Sequence, residues 1–242
     1  ETERQQMTEQ NARQEWSRLE RLRMTTATAQ LIMTVLLGAL VLYLHAQSPF
    51  FLTWANIRNI LDHSALNAVI ALGMTFVICA AGIDLSVGAT AAICGVIMAL
   101  ALKAGWDWQL VVPGGLLAGS VFGAVNGLVI AVFKVNPFIV TLATMSILRG
   151  LALILTGGIP IYNFPAGFTW WGSGHIGPLN PPIILAFLFI CTGTVMLNRM
   201  RFGYYTLAVG GNEEALRRTG VNTGLYKILI YAFCGLTAAC GG

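Results

Sequence analysis

Apolar and polar positions in this chain fall into long uncharged stretches divided by short polar ones. A helix needs about 20 mostly apolar residues to cross the hydrocarbon core of a bilayer. Met24 to Leu44 carries no charge and contains the run LIMTVLLGALVLYL. Further stretches lie at roughly 65–81, 85–102, 110–133, 137–156 and 182–197, and a seventh starts near Ile228 and runs to the end. The pattern predicts an all-α, polytopic transmembrane bundle over residues 24–242. A polar segment, 1–23, precedes it with five acids and five arginines; Trp16, Leu19 and Leu22 recur there at spacing three, as in a short surface helix. The first apolar run is not read as a secretory signal, because its polar leader is long and further spans follow.

Composition agrees. The chain is 56% hydrophobic and 10% charged, whereas soluble domains carry about a quarter charged residues. A water-soluble fold would leave much of that apolar surface exposed. The small net charge of +4 matters less than its placement. With a cytosolic N-terminus, the inner segments hold Arg4, Arg13, Arg18, Arg21, Arg23, Lys134, Arg199, Arg201, Arg217, Arg218 and Lys227, and the outer ones hold only Arg58 and Lys103. That asymmetry is what the positive-inside rule requires. Trp54, Trp106, Trp108, Tyr162, Trp170 and Trp171 all fall on outer loops or interfaces. No basic cluster is interleaved with aromatics, which argues against nucleic acid as a partner. The five cysteines lie in apolar runs without CxxC or zinc-ligand spacing, so neither disulfides, a metal nor another cofactor is expected.

Four places carry candidate chemistry. Gly115, Gly119, Gly123 and Gly127 recur every fourth residue and form a ridge on which another helix can pack closely, with Asn126 beside it as an interhelical hydrogen bonder. Between the second and third stretches, Gly82-Ile83-Asp84-Leu85-Ser86-Val87-Gly88 holds the only carboxylate in the apolar part of the chain. Asp84 reads either as the N-cap of the next helix or, with Ser86, as part of a break that shapes a solute path. Arg149 lies midway along the fifth stretch, where an ion is costly unless paired or hydrated. It reads as functional, or as a structural partner of Asp84 or of helix-end carbonyls. Asn136-Pro137 opens the same stretch, and Asn136 joins Asp84, Ser86 and Arg149 as a candidate for the solute path or a break in the membrane. On the outer side, 157–181 is uncharged and rich in Gly, Pro and aromatics, as in a structured cap, and Arg58, Asp62 and His63 sit on the first outer loop.

The most distinctive segment is the loop 198–227. Gly210-Gly211-Asn212 can end one element and cap another, and Glu213-Glu214-Ala215-Leu216-Arg217-Arg218 then forms a short helix with acids first and bases last, as its dipole prefers. Gly220 stops it.

Three blocks together resemble the permease subunits of bacterial ribose-type sugar ABC importers: Gly82 to Gly88; Asn136 to Thr144 with Arg149-Gly150; and Phe202-Gly203 through Gly210-Gly211-Asn212-Glu213-Glu214-Ala215 to Gly220-Val221. The resemblance implies about ten spans, of which seven are present, in a homo- or heterodimer around a central path. It implies an inner-membrane location, cytosolic ATP-binding subunits and a periplasmic sugar-binding protein. It makes 212–218 the segment that docks in the ATPase, so that Gly210, Gly211, Asn212, Glu213, Glu214, Ala215, Arg217 and Arg218 are the coupling residues. The chain is then a non-catalytic subunit, which its lack of GxxxxGK[ST] supports. Family members continue with a further glycine-rich block and more spans, so this chain reads as C-terminally incomplete. The alternative is an ion- or proton-coupled carrier or facilitator, which would want several mid-membrane ionisable groups where only Asp84 and Arg149 qualify. An intramembrane enzyme ranks last, for want of HExxH or paired catalytic aspartates.

Overall fold

The computed structural model describes residues 28–242, so the expected surface helix within 1–23 lies outside the described residues. Among these residues there are nine helices and no strand beyond one isolated bridge, Ile176 to Leu179. The chain divides into two compact units, 1–57 and 58–242. In the first, helix α1 (Thr28–Gln47) is 20 residues long and mostly apolar. A turn follows in which Thr53 receives the Asn56 amide on its hydroxyl oxygen and Asn56 donates its side-chain amide to Phe51, starting the next helix.

That helix, α2 (Trp54–Cys79), begins eleven residues before the apolar stretch does. Arg58, Asp62 and His63 are therefore helical and not part of an outer loop. The hydropathy change marks where lipid contact begins, and no Gly or Pro between 54 and 64 stops the helix from extending past it. Helix α3 (Val87–Lys103) has 17 residues, close to the minimum of about 17 that crosses a bilayer core. Helices α4 (Trp108–Phe133) and α5 (Pro137–Thr156) follow, then the short α6 (Ala166–Ser173), which gives the uncharged 157–181 segment an ordered element. Helices α7 (Pro181–Arg199), α8 (Arg201–Arg218) and α9 (Thr223–Gly241) complete the chain. Six helices, α1, α2, α4, α5, α7 and α9, are long and apolar enough to cross a membrane, and α3 is a shorter apolar one.

The centre of the second unit is the pair α4–α9. Gly119 lies against the Gly235 carbonyl, Gly123 against the Tyr231 carbonyl and Gly127 against the backbone of Lys227 and Ile228, while Gly115 meets the Met98 side chain of α3. Only the absence of side chains on the ridge lets two backbones approach this closely. Helix α3 closes one side through Ile93, Cys94 and Met98, with Leu148 and Ala152 of α5. Phe76 and Val77 of α2 pack on Ile230 and Cys234 of α9. Outward-facing side chains such as Leu117, Leu151 and Leu188 are exposed, as they must be where the solvent is lipid. All five cysteines are free thiols.

Candidate functional site

Residues 198–227 contain more helix than the sequence predicts. Helix α8 starts at Arg201 and runs to Arg218, interrupted only at Asn212, whose φ of −157° and ψ of 91° are extended. Gly203, Thr206 and Val209 are buried at helical spacing, a face that the mixed composition of this stretch conceals. At the break, the Asn212 side-chain oxygen accepts the Ala215 amide at 2.9 Å, so it caps the second half. Gly220, at φ +86°, follows the end. Glu214 pairs with Arg217 and Arg218 on its own helix. Glu213 instead reaches across to Lys227 of α9, 2.6 Å away.

Glu213 is half-exposed, and its carboxyl lies below the usual range: burial pushes it up, but the hydrogen bond and charge of Lys227 outweigh that and bring it down. A depressed folded value means the ion pair adds stability above the unfolded carboxylate range and loses it as pH falls through the folded value. Protection of the 213–227 amides in hydrogen exchange should therefore weaken as pH falls through and below the ordinary carboxylate range. In Lys227→Met the same protection should lose that pH dependence.

A second cluster sits in the break between α2 and α3. Asp84 and Ser86 are almost fully buried. Asp84 does not cap α3, because Ser86 occupies the N-cap position. Its Oδ1 instead accepts the Ser86 amide at 2.8 Å and the Ser86 hydroxyl at 2.6 Å, closing a local turn. The Asn126 side chain donates to Ser86 Oγ at 3.0 Å and accepts from the Thr144 hydroxyl at 2.6 Å. The Tyr231 hydroxyl donates to the Ile83 carbonyl at 3.2 Å. Ala81, just before the break, has φ +55°, a left-handed conformation that costs a non-glycine residue about 1 kcal/mol. Ala81→Gly should match or slightly exceed wild-type thermal stability, whereas Ala81→Val should lower it by about 1–3 kcal/mol.

Arg149 is not joined to this cluster. The buried face of α5 is Thr141, Leu148 and Ala152, and Arg149, about 100° further round, is exposed beside Leu142, Ser146 and Leu153. Among the described residues it has neither the ion pair with Asp84 nor a bond to helix-end carbonyls that the sequence suggests. Asn136 caps α5 by accepting the Phe138 amide at 3.0 Å. On the far side, Asn180 of the α6–α7 link donates to Asp62 of α2 and pairs with His175. No partner is legible in the sequence for Thr144, Tyr231 or Lys227, although Thr144 ends the second resemblance block and Lys227 counts among the inner cations. Their signal was faint: polar tips at isolated positions of apolar helices.

Comparison with known proteins gives a consistent result. The family described as branched-chain amino acid transport system / permease component matches residues 56–242. The ribose import permease protein RbsC of Escherichia coli (strain K12) is 37% identical over 216 residues, 86% of this chain and 66% of its own length. The ribose import permease of Bacillus subtilis (strain 168) is 40% identical over 205 residues, covering 84% of this chain and 64% of that protein. The galactose/methyl galactoside import permease protein MglC of Escherichia coli (strain K12) is 34% identical over 230 residues, 87% of this chain and 68% of its own. The chain thus spans about two thirds of the length of these curated relatives. No solved structure matches it.

Proposed function

The chain belongs to the branched-chain amino acid transport system / permease component family, and on that premise we propose that it is the membrane-spanning subunit of an ATP-binding-cassette importer for a sugar or sugar-like solute. The observation that carries this reading is identity of 34–40% to ribose and galactose import permeases across more than four fifths of the chain. The multi-pass helical bundle suits it, as does the bacterial inner membrane. On this reading the N-terminus is cytosolic, in keeping with the distribution of Lys and Arg. The second half of α8, Glu213 to Arg218, docks in a cytosolic ATPase subunit that hydrolyses the ATP. A periplasmic binding protein delivers the solute, and a second permease subunit completes the path. The permease itself performs no catalysis; it alternates between inward- and outward-open states as ATP drives the ATPase subunits together.

The full-length protein, reconstituted with its ATPase and binding protein in liposomes, should take up radiolabelled pentose or hexose only with ATP and binding protein present. Uptake driven by a proton gradient without the ATPase would replace this reading with a secondary carrier.

Arg149 is a path candidate that the fold leaves on an exposed helix face, and the sign of its effect is informative. An arginine that merely faces hydrocarbon costs several kcal/mol, so removing it would stabilise the protein. Arg149→Ala should instead reduce uptake or assembly by about tenfold. Wild-type levels of both in that variant would make the arginine incidental.

A further inference from the structure

Segment 79–86, the link from α2 to α3, is held directly by α8, α9 and α4, and through α4 by α5. Gly210 of α8 lies so close to the Cys79 carbonyl and Ala80 that any side chain there would overlap backbone. From α9, the Tyr231 hydroxyl holds the Ile83 carbonyl at 3.2 Å, and Gly82 fits beneath that hydroxyl, where an added Cβ would come within 2.7 Å. From α4, Asn126 binds Ser86, and from α5, Thr144 binds Asn126.

The kink in α8 reaches this segment by two arms. Gly210, two residues before Asn212, touches the end of α2. Glu213, one residue after it, is paired with Lys227, and Tyr231 follows Lys227 by one helical turn on α9. The arms meet opposite ends of the same six residues, Cys79 and Ile83–Asp84. A single hydrogen-bonded chain, Asp84–Ser86–Asn126–Thr144, leads away from there across α4 to α5.

We infer that segment 79–86 is the positioning joint of the transport cycle: Gly210 and the Glu213–Lys227–Tyr231 arm deliver movement of α8 to it, and the Asp84–Ser86–Asn126–Thr144 chain passes that movement to α4 and α5. The inference rests on the permease reading above and gives that reading a route. Backbone against backbone at Gly210 leaves no flexible side chain to absorb a displacement. The polar chain resists rupture because a broken bond would strand a buried polar group in apolar surroundings. Its direction is fixed as well. Ser86 Oγ donates to Asp84 and accepts from Asn126, whose carbonyl accepts from Thr144; turning the Asn126 amide over would set its carbonyl against a Ser86 oxygen whose proton is already given to Asp84. Asp84 and Ser86, 2% and 1% exposed, then support the wall of the path and do not touch the solute.

The test uses the full-length permease with its ATPase and binding protein in proteoliposomes, measuring ATP hydrolysis and sugar uptake on the same sample. Tyr231→Phe removes one hydroxyl from the α9 arm. Thr144→Val removes one from the exit of the chain at constant volume, and Thr144→Ser restores it. Both Tyr231→Phe and Thr144→Val should keep ATP hydrolysis within about twofold of wild type while sugar moved per ATP falls about fivefold or more. Thr144→Ser should recover most of the ratio. An unchanged ratio in the first two variants overturns the joint, and so does a parallel fall in hydrolysis and uptake, which would mark a folding defect. A wild-type set with no ATP-linked uptake would remove the permease reading and the joint with it, a failure visible before any variant is made.

Discussion

Gly123→Leu is expected to destabilise the bundle by about 3 kcal/mol or more and to leave little monodisperse protein after detergent extraction. A methyl group at this position already overlaps the Tyr231 carbonyl and approaches the Ala232 Cα. Backbone cannot rotate away as a side chain can, so α4 and α9 must separate along their whole contact. Other glycines of α4 should grade accordingly. Gly119 faces the Gly235 carbonyl and should behave like Gly123, whereas Gly115 meets the flexible Met98 side chain and should tolerate alanine at lower cost. Gly114, with nothing within 4 Å of an added Cβ, should accept alanine with a change within about 0.5 kcal/mol. Thermal unfolding followed by size-exclusion fluorescence measures the series. Equal stability of Gly123→Leu and Gly114→Ala would mean that α4 and α9 do not meet in this way.

The largest functional loss is expected from reversing both acids that follow the kink. Glu213→Lys with Glu214→Lys should cut ATP-driven uptake to less than about a tenth of wild type, while membrane insertion stays normal. The two positions act differently. Glu214 is bound to Arg217 and Arg218 on its own exposed turn, where such pairs are each worth only about 0.3–0.5 kcal/mol. Its reversal therefore reports mainly on the surface offered to the ATPase. Glu213 is bound to Lys227, so its reversal sets two cations against each other and pushes α8 from α9. Glu213→Lys combined with Lys227→Glu should then regain part of the uptake, and Glu214→Lys should not respond to the Lys227 change. Uptake at wild-type level in the double lysine variant would end the assignment of this helix to ATPase coupling.

Much of this was legible along the chain, for a physical reason in each case. Asn212 followed by two acids and two bases is a local code, because caps and the helix dipole act over one turn, and the Asn212–Ala215 bond is the result. The start of α2 is hidden in the hydropathy pattern, which senses solvent, whereas the helix continues past the lipid boundary through Arg58 and Asp62. The first half of α8 escaped notice because its buried positions, Gly203, Thr206 and Val209, are small or polar. A contact of Arg149 with Asp84, one of the readings its position left open, fails on rotation: Leu148 takes the inward position and its neighbour must turn out.

By itself, the sequence determined that this chain is a multi-span helical bundle, where its spans lie (apart from the early starts of α2 and α9), where α8 breaks and which glycines form a ridge. Each of these follows from burial preference, capping or spacing within one helix. Only the tertiary structure decided that the ridge meets α9, that Glu213 answers Lys227, and that Asp84 serves Ser86, with Asn126 and Thr144 behind it. Asp84 and Ser86 are two residues apart, but the other partners are separated by 14 residues (Glu213 and Lys227) to 116 residues (Gly119 and Gly235) along the chain. A buried polar group must find some partner, but which one it finds depends on how the helices rotate against each other, and no short-range pattern encodes that.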